Sequence, residues 1–84
     1  MEKIPYKSFL GKLVVTKDGR RLGLVKDITF EVKTGEVINL ILKDLTEHAI
    51  NLSIEKTKNK EALIPFHSVI AIGDFIVVSE EDFF

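Results

Sequence analysis

The amino-acid sequence predicts a mainly β fold: a small, partly open barrel of about five or six short strands with one short helical turn. Three observations carry that expectation. Apolar and polar residues alternate in "DITFEV" with the period of a half-buried strand. Turn-forming pairs, Asp18-Gly19 and Thr34-Gly35, fall between such segments. The chain has 84 residues, a size that buries only about 60 to 65% of the surface its unfolded form exposes, so a single domain over 1–84 with one modest core is expected.

Residues 12–15, "KLVV", form a short, partly β-branched strand, and in the following "TKDGRR" the pair Asp18-Gly19 marks a tight hairpin turn. The next segment, "LGLVKDITFEV", places Ile28, Phe30 and Val32 on one face and Asp27, Thr29 and Glu31 on the other. Val25 is out of step with that set and lies close after Gly23, which predicts a β-bulge bending a long, curved strand. "KTGEV" supplies a second turn, with Gly35 free to take positive φ, and leads into "VINLIL" at 37–42. That run is apolar on both faces apart from Asn39, the pattern of a central strand or of one whose outer face another chain covers. Between 43 and 61 the pattern weakens. A strand near 49–55 is expected there, with a short helical turn as the alternative, before the polar loop "EKTKNKE". "ALIPF" is a short strand whose ladder Pro65 stops, "HSVIAI" leaves room for little more than one 3₁₀ or helical turn before Gly73, and "FIVV" re-enters the sheet. Leu63, Val69, Ile72, Ile76 and Val78 are expected to fill the barrel, with Pro65 and Gly73 bending the chain between them.

In this order and spacing, Gly11-Lys12, Asp18-Gly19, Gly23 with Val25, Asp27-Ile28, Thr34-Gly35, and Ile64-Pro65 leading to Val69, Ile72 and Gly73-Asp74 resemble the PRC-barrel family, the small β-barrel named for the photosynthetic reaction centre H subunit. The match covers roughly residues 9–79 and leaves a short acidic and aromatic stretch at 80–84. The resemblance implies an SH3-like barrel used for docking proteins rather than for turnover. The family includes that reaction centre subunit, a domain of a ribosomal RNA maturation factor, and free-standing small bacterial and archaeal proteins, some of the archaeal ones associated with FtsZ-based cell division. Without a membrane helix like that of the reaction centre subunit or an amino-terminal domain like that of the maturation factor, this chain is most similar to the stand-alone archaeal type.

The chemistry of the residues agrees with a non-enzymatic role. His48 and His67 are the two histidines and cysteine is absent, so neither a disulfide framework nor a thiolate metal site is expected, and three or four ligands in zinc-site register are not at hand. His67 and Ser68 are adjacent, hence point in different directions, and no glycine-flanked serine elbow accompanies them. They are expected to begin and cap the helical turn, with His67 at the surface. "DGRRLG" lacks the Gly-Lys-Ser/Thr ending of a phosphate loop and is expected to be a hairpin. No catalytic residue, metal or cofactor is therefore expected.

The formal net charge of -1 lacks the basic excess usual in nucleic-acid binders. Lys17, Arg20 and Arg21 still cluster at the first hairpin, with Lys26 nearby, so an RNA contact in a ribosome or rRNA maturation accessory factor is the alternative reading. Aromatic residues are not interleaved with these cations to stack bases. "EKTKNK" at 55–60 is expected to be a solvated loop. Apolar runs fall far short of about 18 residues, and "MEKIPYKSF" is not a signal peptide, so a cytoplasmic location without membrane insertion is expected. Glutamine is absent while Lys and Glu are plentiful, a bias that accompanies growth at high temperature.

In "SEEDFF", two aromatic rings left in water would forgo roughly 1.5 to 3 kcal/mol of burial each, so Phe83 and Phe84 are expected to pack, either back on the barrel or in an interface. With the outer side of "VINLIL", namely Val37, Ile38, Leu40 and Ile41, they are expected to form an apolar patch for self-association or partner binding. The function expected is a protein-interaction adaptor, a homodimer or part of a small hetero-assembly, whose partners are cell-division proteins or another PRC-barrel protein.

Overall fold

Short apolar segments separated by tight turns are realised, among the described residues, as seven strands in one sheet. A computed structural model describes residues 6–52, 55–57 and 59–80. After a 3₁₀ turn at Tyr6–Ser8 come β1 (Leu13–Thr16), β2 (Arg21–Phe30), β3 (Val37–Lys43), helix α1 (Glu47–Asn51), β4 (Glu55–Lys56), β5 (Ala62–Pro65), a second 3₁₀ turn (Phe66–Ser68), β6 (Val69–Ile72) and β7 (Phe75–Val78). The sheet order is β4-β5-β3-β2-β1-β7-β6, so the sheet is open, with β4 and β6 at its two edges. Pairing of β1 with β7 is parallel, from Leu13 opposite Phe75 to Thr16 opposite Val78, and joins the early and late parts of the chain. Beyond the main strands, β4 adds a two-residue pairing to β5, and "HSVIAI" holds both a 3₁₀ turn and β6. The branched Val69, Ile70 and Ile72 favour that extended conformation once the turn is complete.

The first hairpin follows its turn chemistry. Gly19 has φ +82, its N–H donates to the Thr16 carbonyl at 2.9 Å, and the Thr16 N–H donates to the Arg20 carbonyl at 2.8 Å. Thr57–Glu61 repeats this arrangement: Lys60 N–H donates to the Thr57 carbonyl at 3.2 Å and Thr57 N–H to the Glu61 carbonyl at 2.8 Å. There Lys60 takes the left-handed position, at φ 61, that glycine takes in the first turn.

The long β2 is bulged as its sequence requires. Lys26 has no opposite number between the Val25–Leu42 and Asp27–Ile41 pairs, so Val25 and Ile28, three residues apart, both turn toward the core. Leu22 is the extra residue between the Val14–Gly23 and Val15–Arg21 pairs. β3 lies between β2 and β5, the central place its two apolar faces predict.

Phe9, Val14, Leu22, Val25, Leu40, Leu42, Ala49, Ala62, Ile64, Ile76 and Val78 form the buried core. Ile76 and Val78 are fully buried, and Val69 and Ile72 pack against them, as expected. Leu63 does not fill the barrel. Its neighbours Ala62 and Ile64 are the fully buried pair, because Leu63 stands opposite Ile41 on the other face of the pleat. Phe9 meets Phe66 edge to face at 6.1 Å between ring centroids.

The strand expected near 49–55 is replaced by α1 and the short β4. Thr46 decides this locally: its Oγ1 accepts from the Ala49 N–H at 3.2 Å and donates to the Arg21 carbonyl at 2.7 Å. One hydroxyl thus caps the helix and ties it to β2, while Ala49 is buried beneath.

Candidate functional site

The β2–β3 hairpin runs past the end of the core. Its buried part stops at Leu40, with Ile28 and Val37 half-buried against it, and the apolar residues beyond are left in solvent. Phe30 is 54% exposed, Val32 86% and Ile38 47%. Phe30 pairs across the sheet with Val37, and Ile38 is the extra residue between the Phe30–Val37 and Thr29–Asn39 pairs. The three exposed side chains are therefore gathered at one end of the hairpin. A turn in which Gly35 N–H donates to the Glu31 carbonyl at 2.7 Å closes that end.

Among the residues expected to form an outward patch, Ile38 is exposed, Val37 and Ile41 are half-buried, and Leu40 is fully buried. Leu40 is thus a core residue and not part of a docking surface. Its parity is the reason: it shares the inward face of β3 with Leu42. Phe83 and Phe84 lie outside the described residues. Alternation places Phe30 and Val32 on one face with Ile28, yet Ile28 packs against the core while Phe30 and Val32 are exposed. Strand alternation reports which face a side chain shares, but it cannot report that the barrel ends before the strand does.

A second feature is a cleft of about 630 Å³ between the end of β3, α1 and the β4–β5 hairpin. Leu45 and Ile50 supply its apolar part, while Lys43, Lys56 and Lys60 stand around it with Asp44 and Glu61. Glu61 is paired with Lys26 from outside the cleft, and the lining holds three lysines against the two carboxylates Asp44 and Glu61. Lys56 Nζ also donates to the Leu52 carbonyl at 2.9 Å. Lys56, Thr57, Asn59 and Lys60 are exposed, as expected of the polar loop, and also form one wall of this concave surface.

Lys17, Arg20 and Arg21 are exposed around the first turn, and the Lys17 N–H donates to the Val78 carbonyl at 3.1 Å. His67 is exposed, as expected, whereas Ser68 is buried. Ser68 Oγ donates to the Pro65 carbonyl at 2.7 Å, so it closes the 3₁₀ turn from within rather than capping its start. His48 Nε2 lies 2.8 Å from Glu80 Oε1 and links α1 to the residues after β7. Among the described residues, no three His, Asp or Glu side chains are grouped as metal ligands, and no helix is long and apolar enough to cross a membrane.

Comparison with known proteins agrees with this architecture. A family model described as the PRC-barrel domain matches residues 1–82. An uncharacterised protein of the archaeon Methanocaldococcus jannaschii is 34% identical over 80 residues, covering 95% of this chain and 85% of the relative.

Proposed function

Because the chain belongs to the PRC-barrel domain family, we propose that it is a non-enzymatic docking module that self-associates and holds a protein partner. The observation that carries this reading is the set of apolar side chains, Phe30, Val32 and Ile38, held in solvent at one end of the β2–β3 hairpin. Exposed rings and branched chains gathered on a rigid strand pair suit an interface, where their burial drives association. Placed about a two-fold axis, two such ends meet as like surfaces. Cytoplasmic cell division of the FtsZ type is the setting we propose, on the resemblance to stand-alone archaeal members and the archaeal relative.

The test is solution mass by sedimentation across a concentration series for the wild type and a Phe30→Asp/Ile38→Asp variant. A wild-type dimer that the variant loses, with its thermal unfolding intact, supports the reading; a wild type that stays one copy in mass overturns it, and a dimer that the variant keeps overturns the hairpin end as its contact. A pull-down from the source lysate at low and high salt, with and without nuclease, then identifies the partner. Capture of division proteins or a second barrel that survives salt and nuclease supports an adaptor. Capture of ribosomal proteins lost on either treatment would assign the work to Lys17, Arg20 and Arg21 instead.

A further inference from the structure

The lysine-rimmed cleft has a chemistry that the docking role leaves unused. Leu45 and Ile50 offer an apolar surface, Ile50 being more than half exposed. Lys43, Lys56 and Lys60 stand around that surface, and Lys26 already neutralises Glu61. Such a site suits a peptide that carries carboxylates beside large apolar side chains. The conformation of Lys60 is a separate observation pointing the same way. The turn Thr57–Glu61 copies the turn Thr16–Arg20 bond for bond, yet where the first turn has Gly19 at φ +82 this one holds a lysine at φ 61. A left-handed backbone disfavours residues that carry a Cβ, with Asn and Asp the most tolerant and lysine not among them. Disfavoured conformations of this kind gather at binding sites, and this lysine lines the cleft.

The chain itself contains one stretch of the complementary kind, Glu81-Asp82-Phe83-Phe84. We propose that residues 81–84 of a second copy dock in this cleft, the two carboxylates facing Lys43, Lys56 and Lys60 and the two rings covering Leu45 and Ile50. The proposal rests on the self-association reading and gives it a contact distinct from the hairpin end. Reciprocal docking of two copies would use each cleft once and close a two-fold dimer, as isologous contacts do.

The test uses the full chain carrying Phe83→Ala/Phe84→Ala as receptor, so that its own stretch does not compete. The probe is a fluorescein-labelled peptide, Ser-Glu-Glu-Asp-Phe-Phe, followed by anisotropy. Saturable binding is expected, weakened about fivefold or more by Lys60→Gly, a change that removes the ammonium while giving the turn its preferred residue, and further by Lys43→Glu. Replacing both rings of the peptide with alanine should abolish binding. No saturation, or Lys60→Gly and Lys43→Glu receptors that bind the peptide as tightly as their parent, overturns the proposal. Peptide binding by the alanine receptor alone, with a wild type that stays one copy in mass, overturns it as well, since the segment would then fill its own cleft. A wild type that self-associates while its receptor form ignores the peptide removes this contact and leaves the docking reading standing.

Discussion

Replacing Gly23 with alanine is expected to destabilise the fold by about 1–2 kcal/mol, and the reason lies in a single close approach. Gly23 is buried in β2 opposite Val14, and it is not among the residues of positive φ, so its backbone would accept any side chain. A Cβ placed there would stand 2.7 Å from the Lys43 carbonyl oxygen, 3.3 Å from Leu45 Cδ2 and 3.6 Å from the Asp44 carbonyl oxygen. The first contact is with backbone and cannot be relieved by a rotamer change. Either the end of β3 moves, straining the Leu24–Lys43 pair, or β2 does. Overpacking of this kind costs about 1–3 kcal/mol, and alanine returns roughly 0.5 kcal/mol by restricting the unfolded chain. For a domain of this size the net loss corresponds to a fall in Tm of roughly 5–15 °C, read by circular dichroism or scanning calorimetry. Adding Leu45→Ala should not restore the loss, because the nearest atom belongs to the Lys43 carbonyl. A Gly23→Ala variant that melts at or above the wild-type temperature, or one rescued by Leu45→Ala, would refute the reasoning.

Phe9→Ala should cost about 3–5 kcal/mol, since the ring is buried and braced edge to face on Phe66; a urea midpoint within 10% of wild type would contradict that placement in the core. Thr46→Ala removes both the N-cap of α1 and its tie to the Arg21 carbonyl, so a loss of about 1 kcal/mol is expected, with Thr46→Ser retaining most of the stability. Lys60→Gly should stabilise by about 1 kcal/mol, visible as a rise in Tm of several degrees, because it relieves a left-handed lysine. A lower melting temperature for that variant would mean the lysine is held by contacts worth more than its backbone strain.

Much of the fold was legible because its signals are local. The Asp18-Gly19 turn, the Gly35 turn, the bulge after Gly23 and the central place of β3 each follow from residues within a few positions of one another, where glycine torsions and strand parity act. The segment around α1 was not legible in the same way. Ile50 and Leu52 share the parity of a strand, and the helix is set by the Thr46 cap on Ala49 together with the same hydroxyl's tie to Arg21, a residue 25 positions earlier in the chain. Inverted parity in β5 has a similar origin: both Leu63 and Ile64 are apolar, and only pairing with β3 selects which faces inward.

The candidate surfaces divide along the same line. Sequence alone determined the mainly β class, the family resemblance, the exposure of Lys17, Arg20, Arg21 and His67, and the apolar character of "VINLIL", since composition and alternation act wherever the chain goes. Tertiary structure alone decided that Leu40 is core while Phe30, Val32 and Ile38 meet solvent, and that three lysines separated by up to 17 positions surround one cleft. Exposure depends on where the barrel stops, and charge concentration depends on which loops its curvature brings side by side; neither is a property of neighbours in sequence.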